Sequence, residues 1–331
     1  MKILSIAAMG TLLAALLPSA SGAAPASLSK EAINAATFDD WQARQGADGT
    51  AAPFLIRLQV LLDRAHASPG VIDGFPGDNT QKAIRAYEMM RGLPVDGEPD
   101  ADMWNVLVVD EGEAMTTYEI TEDDVSGRYV DTIPDDYGER AKMDWLGYHD
   151  PAEMLAEKFH MDEELLKTLN PGADFATAGT TILVTKPGEV PTTKVARIVV
   201  DKSAGRLVAY DDKGEIVLAD PATIGSDETP SPSGTVTVNA IAADPTYSYN
   251  PKKNFQQGDN DKVLTIPPGP NGPVGSMWID LSKPTYGIHG TAKPDLIDKS
   301  QSHGCVRLTN WDAEALAQLV EPGQTVVEFK E

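Results

Sequence analysis

The segment Tyr286-Gly287-Ile288-His289-Gly290-Thr291 is followed, about a dozen residues on, by Ser302-His303-Gly304-Cys305-Val306-Arg307-Leu308. Cys305 is the sole cysteine of the sequence, so no intrachain disulfide can engage it. A thiol attacks an acyl carbon as its thiolate and needs a base or a positive charge nearby. His289 is the candidate base. It ends a predicted strand, and Cys305 sits at a glycine-led turn into the next one. Loops returning from adjacent strands bring an imidazole within about 2.6–3.2 Å of a sulfur, or somewhat further in an empty site. Gly304, with no side chain, lets the backbone approach an acyl carbonyl. The N–H groups of Gly304 and Cys305 would then stabilise an oxyanion, at about 2.7–4 kcal/mol per donor. The predicted chemistry is acyl transfer through a thioester, with no cofactor.

Two other uses of these residues fit less well. Two histidines and a cysteine can ligate zinc, but His66, His149 and His160 lie far off in the sequence and no acidic residue stands at a fixed spacing, so no metal is expected. A papain-like peptidase places its cysteine at a helix N-terminus with the histidine downstream; here the histidine comes first and the cysteine leads into a strand.

The elements that must position this pair are mostly strands. Residues 195–200, 206–210, 215–219, 235–241, 277–281, 286–289 and 325–329 are rich in β-branched residues, with Asp211-Asp212-Lys213-Gly214 as a hairpin turn. A helix is predicted over 310–320, capped by Thr309 or Asn310. Many strands with one late helix predict a sandwich or barrel-like domain over 194–331. Upstream, Leu55, Leu58, Leu61 and Leu62 recur at helical spacing; Ala83, Ile84 and Tyr87 mark a second helix and 101–109 a third. Thr80 is placed to cap the second of these. Residues 111–146 are acidic, with Glu122-Asp123-Asp124 and Asp135-Asp136, and predict an extended connector. Two short amphipathic helices, Asn170-Pro171-Gly172 and a strand at 180–184 follow, within 147–188. The fold class is therefore multidomain α+β.

The arrangement of histidine, a gap, then Ser-His-Gly-Cys-Val-Arg resembles the signature of the L,D-transpeptidase (YkuD-type) family. Ile224-Gly225, Thr229-Pro230 and Gly234 agree with the family's upstream pattern. The resemblance implies that Cys305 attacks a peptidoglycan stem peptide between its third and fourth residues, expelling D-alanine, and that His289 takes and returns the proton. It also implies that the Gly290 carbonyl orients the imidazole, that His303 lines the site, that Ser302 braces the loop beside the substrate, and that Arg307 holds the loop or a substrate carboxylate. Carbapenems would acylate Cys305. The acceptor stays open: a cross-linking amine, an outer-membrane lipoprotein, or water, which would make the enzyme an L,D-carboxypeptidase. A non-catalytic wall-binding scaffold is the rival reading.

Residues 51–110 resemble a three-helix peptidoglycan-binding domain through Leu58-Gln59, Asp73-Gly74, Gly77 and Thr80, Ala83-Ile84, Leu93, Asp96-Gly97, Trp104 and Leu107. Residues 147–188 resemble a LysM module, which binds glycan strands, although its opening strand is not evident. Residues 1–23 read as a signal peptide cut after Ala23 and 24–50 as a flexible lead-in with a short helix at 30–35. That predicts export to the periplasm and association with the wall, and no later segment is apolar enough to span a bilayer. With 27 basic and 50 acidic residues the formal charge is −23, which argues against nucleic acid as a partner.

Overall fold

A computed structural model describes residues 28–43, 49–109, 112–226 and 229–331; the predicted signal peptide lies outside them. The chain opens with α1 (Lys30–Ala35) and α2 (Phe38–Ala43), so the expected lead-in carries two helices where described. Three helices follow: α3 (Pro53–Arg64), α4 (Asp78–Arg91) and α5 (Ala101–Leu107). α3 is apolar nearly all round, as a helix buried on every side must be. Leu55, Leu58, Leu61 and Leu62 join Ile84, Tyr87 and Trp104 in one core. Ile56 and Val60 face the other way, into the core of the next unit. Thr80 does not cap α4. The chain enters the helix earlier, with Gly77 at the N-cap and no side-chain cap. Thr80 Oγ1, buried in the first turn, instead accepts from Gln59 Nε2 at 3.1 Å.

The acidic stretch is not merely extended. It contains β1 (Met115–Glu119), α6 (Glu122–Val125) and α7 (Tyr137–Arg140). Then come α8 (Pro151–Lys158), α9 (Glu163–Leu169) and β2 (Thr181–Thr185), and β1 pairs antiparallel with β2 from Met115↔Thr185 to Glu119↔Thr181. The partner of β2 thus comes from residues whose charge pattern read as a connector. Two devices make the charges compatible with order. Thr121 and Asp124 close a reciprocal capping box around α6, and Lys158 Nζ lies 2.8 Å from Asp124 Oδ1.

The remaining strands are β3 (Arg197–Asp201), β4 (Arg206–Tyr210), β5 (Ile216–Pro221), β6 (Thr223–Ile224), β7 (Gly234–Ala243), β8 (Tyr247–Tyr249), β9 (Leu264–Ile266), β10 (Met277–Leu281), β11 (Gly287–His289), β12 (Val306–Arg307) and β13 (Val326–Lys330), with α10 (Asn310–Leu319) before the last. Nine of them form one mixed sheet in the order β5-β4-β3-β13-β7-β10-β11-β12-β6. Its apolar face packs with α10 around Ile198, Leu207, Val238, Ile279, Ile288 and Leu316. This is the mainly β, nearly barrel-like domain anticipated from the strand pattern. Thr309 caps α10 by accepting from the Asp312 N–H. The β5 edge is not left open: Ser68 N donates to Ala219 O and Ala219 N to His66 O. Chain from the helical unit therefore covers an edge that would otherwise invite pairing.

Candidate active site

Two strand pairings bring the chemistry together. β10 and β11 are antiparallel with Trp278 opposite His289, and β11 and β12 are parallel with His289 opposite Arg307. Side chains alternate along a strand, so Cys305, two residues before Arg307, projects to the same face as Arg307. Cys305, His289, His303, Ser302 and Arg307 all line one cleft of about 460 Å³.

His289 is 4 % exposed. Its ring lies on Trp278, centroids 5.6 Å apart and 20° between planes. Its Nδ1 is 2.6 Å from the Gly290 carbonyl oxygen. A carbonyl can only accept, so Nδ1 carries the proton and Nε2 is left as the basic nitrogen. Gly290 has to be glycine: a Cβ there would fall 2.2 Å from Asn310 Oδ1. Burial, with the Arg307 charge acting in the same sense, pushes His289 down to about 3, against the opposing hydrogen bond to Gly290. The imidazole is therefore neutral at any physiological pH. Burial raises the Cys305 thiol above its ordinary value, opposed by the Gly287 N–H and by Arg307. The sulfur lies 3.8 Å from the Thr285 carbonyl oxygen, to which its S–H can point. A neutral thiol and a neutral imidazole lining the same cleft are the resting arrangement.

Gly304 adopts φ +103°. Its carbonyl accepts from Ser231 Oγ at 2.7 Å, which fixes the turn before Cys305. Neither the Gly304 nor the Cys305 N–H donates to a loop or turn carbonyl among the described residues. The Ser302 hydroxyl is occupied within the loop: it donates to Cys305 O at 2.6 Å and accepts from Gly225 N at 2.7 Å. It braces the turn, and its only proton does not reach toward substrate. His303 stacks on Phe255 at 3.8 Å and 12°; partial burial and Arg307 both lower its pKa. Arg307 makes no ion pair among the described residues, though it is half-buried in the cleft wall. A loop-holding ion pair for this guanidinium is therefore not what the structure contains.

The cleft has walls that motif reading did not name. Lys253, Asn254 and Phe255 come from the stretch after β8. Tyr247, Trp278 and Tyr286 line the cleft, whereas Tyr249 is fully buried beneath it. Tyr137, from α7, also reaches it. Its only signal in the sequence was an aromatic ring among acidic residues.

The family model for the L,D-transpeptidase catalytic domain matches residues 195–328, and that for a peptidoglycan binding domain matches residues 52–107. A Bacillus licheniformis protein named as an L,D-transpeptidase YkuD is 30% identical over 177 residues, which cover 53% of this chain and 90% of that protein. An Escherichia coli K12 protein named as the L,D-transpeptidase YbiS is 30% identical over 185 residues, 54% of this chain and 60% of that one. Among solved structures, L,D-transpeptidase 3 of Mycobacterium tuberculosis is 16% identical over 46% of this chain and 76% of its own, with a TM-score of 0.34. The chain belongs to the YkuD-type L,D-transpeptidase family of enzymes.

Proposed function

We propose that this enzyme acts on tetrapeptide stems of peptidoglycan after export to the periplasm. Cys305 Sγ bonds to the carbonyl carbon of the third stem residue as its thiol proton passes to His289 Nε2. The C–N bond to D-alanine then breaks, and His289 returns the proton to the departing amine. An acceptor amine attacks the resulting thioester, the C–S bond breaks, and the acceptor's proton passes back to the sulfur through His289. The Gly304 and Cys305 N–H groups receive the oxyanion at each step. Arg307, half-buried and without a carboxylate partner among the described residues, favours a substrate carboxylate over a structural pairing.

The observation that carries this reading is the held imidazole: Nδ1 fixed on Gly290, Nε2 free, in the cleft that holds the sulfur. The β1-α8-α9-β2 unit supports glycan-strand binding by a LysM-like module, and α3-α5 support wall binding. Which amine accepts the acyl group, a wall cross-link or an outer-membrane lipoprotein, is decided by the same assay that tests the mechanism. Incubation with tetrapeptide-containing muropeptides should yield cross-linked or exchanged products, and Cys305→Ala should abolish them. Products that are only shortened would identify a carboxypeptidase, and unchanged exchange by Cys305→Ala would refute the mechanism.

A further inference from the structure

The catalytic cleft borrows a wall from outside the catalytic domain. α7 lies between β1 and α8, before residues 195–328 that match the family's catalytic domain. Tyr137 at its start lines the cleft together with Cys305, His289 and Arg307. Its ring stands edge-on to Tyr249 at 5.2 Å, Phe255 at 6.0 Å and Tyr247 at 6.1 Å. The Arg140 guanidinium lies 5.4 Å from the ring centroid.

The backbone beneath is tied just as firmly. Tyr137 N donates to Gln257 Oε1 at 3.0 Å, Gln257 Nε2 to Asp135 O at 2.9 Å, and Asn260 Nδ2 to Asp136 Oδ2 at 2.9 Å. Such packing leaves the ring little freedom. Its hydroxyl nevertheless has no hydrogen-bond partner among the described residues. A fixed aromatic donor without a partner, at the edge of a cleft, is placed for a ligand atom.

The charge of the cleft says what that atom is. Lys253 and Arg307 are among the lining residues, and among the described residues no carboxylate is. Burial raises the Tyr137 pKa against the opposing charges of Arg140 and Arg307, so the phenol stays a donor at working pH. We propose that Tyr137 is a substrate-contacting specificity residue, its hydroxyl donating to a free carboxylate of the donor stem peptide that Arg307 also holds. The segment between β1 and α8 would thereby supply part of the substrate pocket. This rests on the transpeptidase reading above, but binding can be measured apart from turnover.

The test uses the full chain carrying Cys305→Ala, so that ligand is not consumed, with a disaccharide-tetrapeptide ending in D-alanine as the calorimetric probe. Adding Tyr137→Phe, which keeps the ring packing, should weaken binding about tenfold, the effect of one charge-assisted hydrogen bond. The same probe with its carboxylates amidated should bind both variants alike. In the active enzyme, Tyr137→Phe should raise KM by a similar factor with little change in kcat. An equal dissociation constant for the two variants, or no binding by the parent, overturns the proposal. If the wild type transfers to no acceptor while Tyr137→Phe still weakens binding, the transpeptidase reading fails and the Tyr137 contact stands.

Discussion

Replacing Gly304 by alanine tests the turn on which the chemistry depends. At φ +103° an L side chain is strained, and forcing one there costs about 1–3 kcal/mol. The added Cβ would also sit 2.8 Å from Tyr286 Cε1, and 3.4 Å from Pro230 O. The tyrosine ring can swing away from such a contact, but the backbone strain stays. It is relieved only if the peptide turns, which breaks the Ser231–Gly304 hydrogen bond and re-aims the N–H groups proposed to receive the oxyanion. Losing one such donor costs about 10²–10³ in rate. Gly304→Ala should therefore slow acylation of Cys305 by about that factor, measured in single turnover by intact-mass spectrometry. Gly214→Ala is the control: Gly214 has φ +85° in a hairpin turn with nothing within 4 Å of its added Cβ. It should lower the melting temperature through comparable strain and leave acylation as it is. If Gly304→Ala acylates within about threefold of the control, well below the loss expected for one donor, neither the turn nor the oxyanion assignment survives.

Two further outcomes concern protonation. Alkylation of Cys305 by iodoacetamide should rise with pH with a midpoint above the ordinary thiol value of 9.0, because burial disfavours the thiolate; a plateau near pH 6–7 would reveal a standing thiolate–imidazolium pair and sink the concerted proton transfer. Glu157, buried in α8 where Asn310 Nδ2 and the Tyr148 hydroxyl donate to its Oε2, is pushed up by burial to about 8 from 4.5. Its folded pKa lies above its unfolded one, so its contribution is intact below about pH 4.5 and is lost as pH rises through 8. A rise of about 3.5 at about 1.36 kcal/mol per pKa unit sets an upper bound near 5 kcal/mol, which relaxation and water reduce. Glu157→Gln, shaped like the neutral acid, should match wild type near pH 4.5 and be more stable by about 1–3 kcal/mol at pH 8.5, by denaturant titration. Equal stability at both pH values would show that Glu157 is not held neutral.

What could be read from the sequence was whatever a local rule constrains. β-branched runs fix strands, and β10, β11 and the residues around Cys305 follow from composition and spacing within a few dozen positions. The proposed catalytic pair is the extreme case, since a nucleophilic thiol needs a base or positive charge nearby, and the glycine before it would serve the need for close approach to an acyl carbonyl. Thr80 failed for the complementary reason: it is a good cap by type, but Gln59 on another helix claims its hydroxyl. β1 was lost because its partner β2 lies far along the chain and the acidic residues beside it imitate a solvated linker. Tyr137 is harder still. Nothing local orders it; the order comes from Gln257, Asn260 and the rings of β8, and none of those contacts has a fixed spacing from it. The reacting atoms are constrained by mechanism and leave a motif. The walls that choose the substrate are constrained only by shape and charge, so they can be recruited from any part of the chain that folds against the cleft. Here part of that wall was recruited from the residues between β1 and α8.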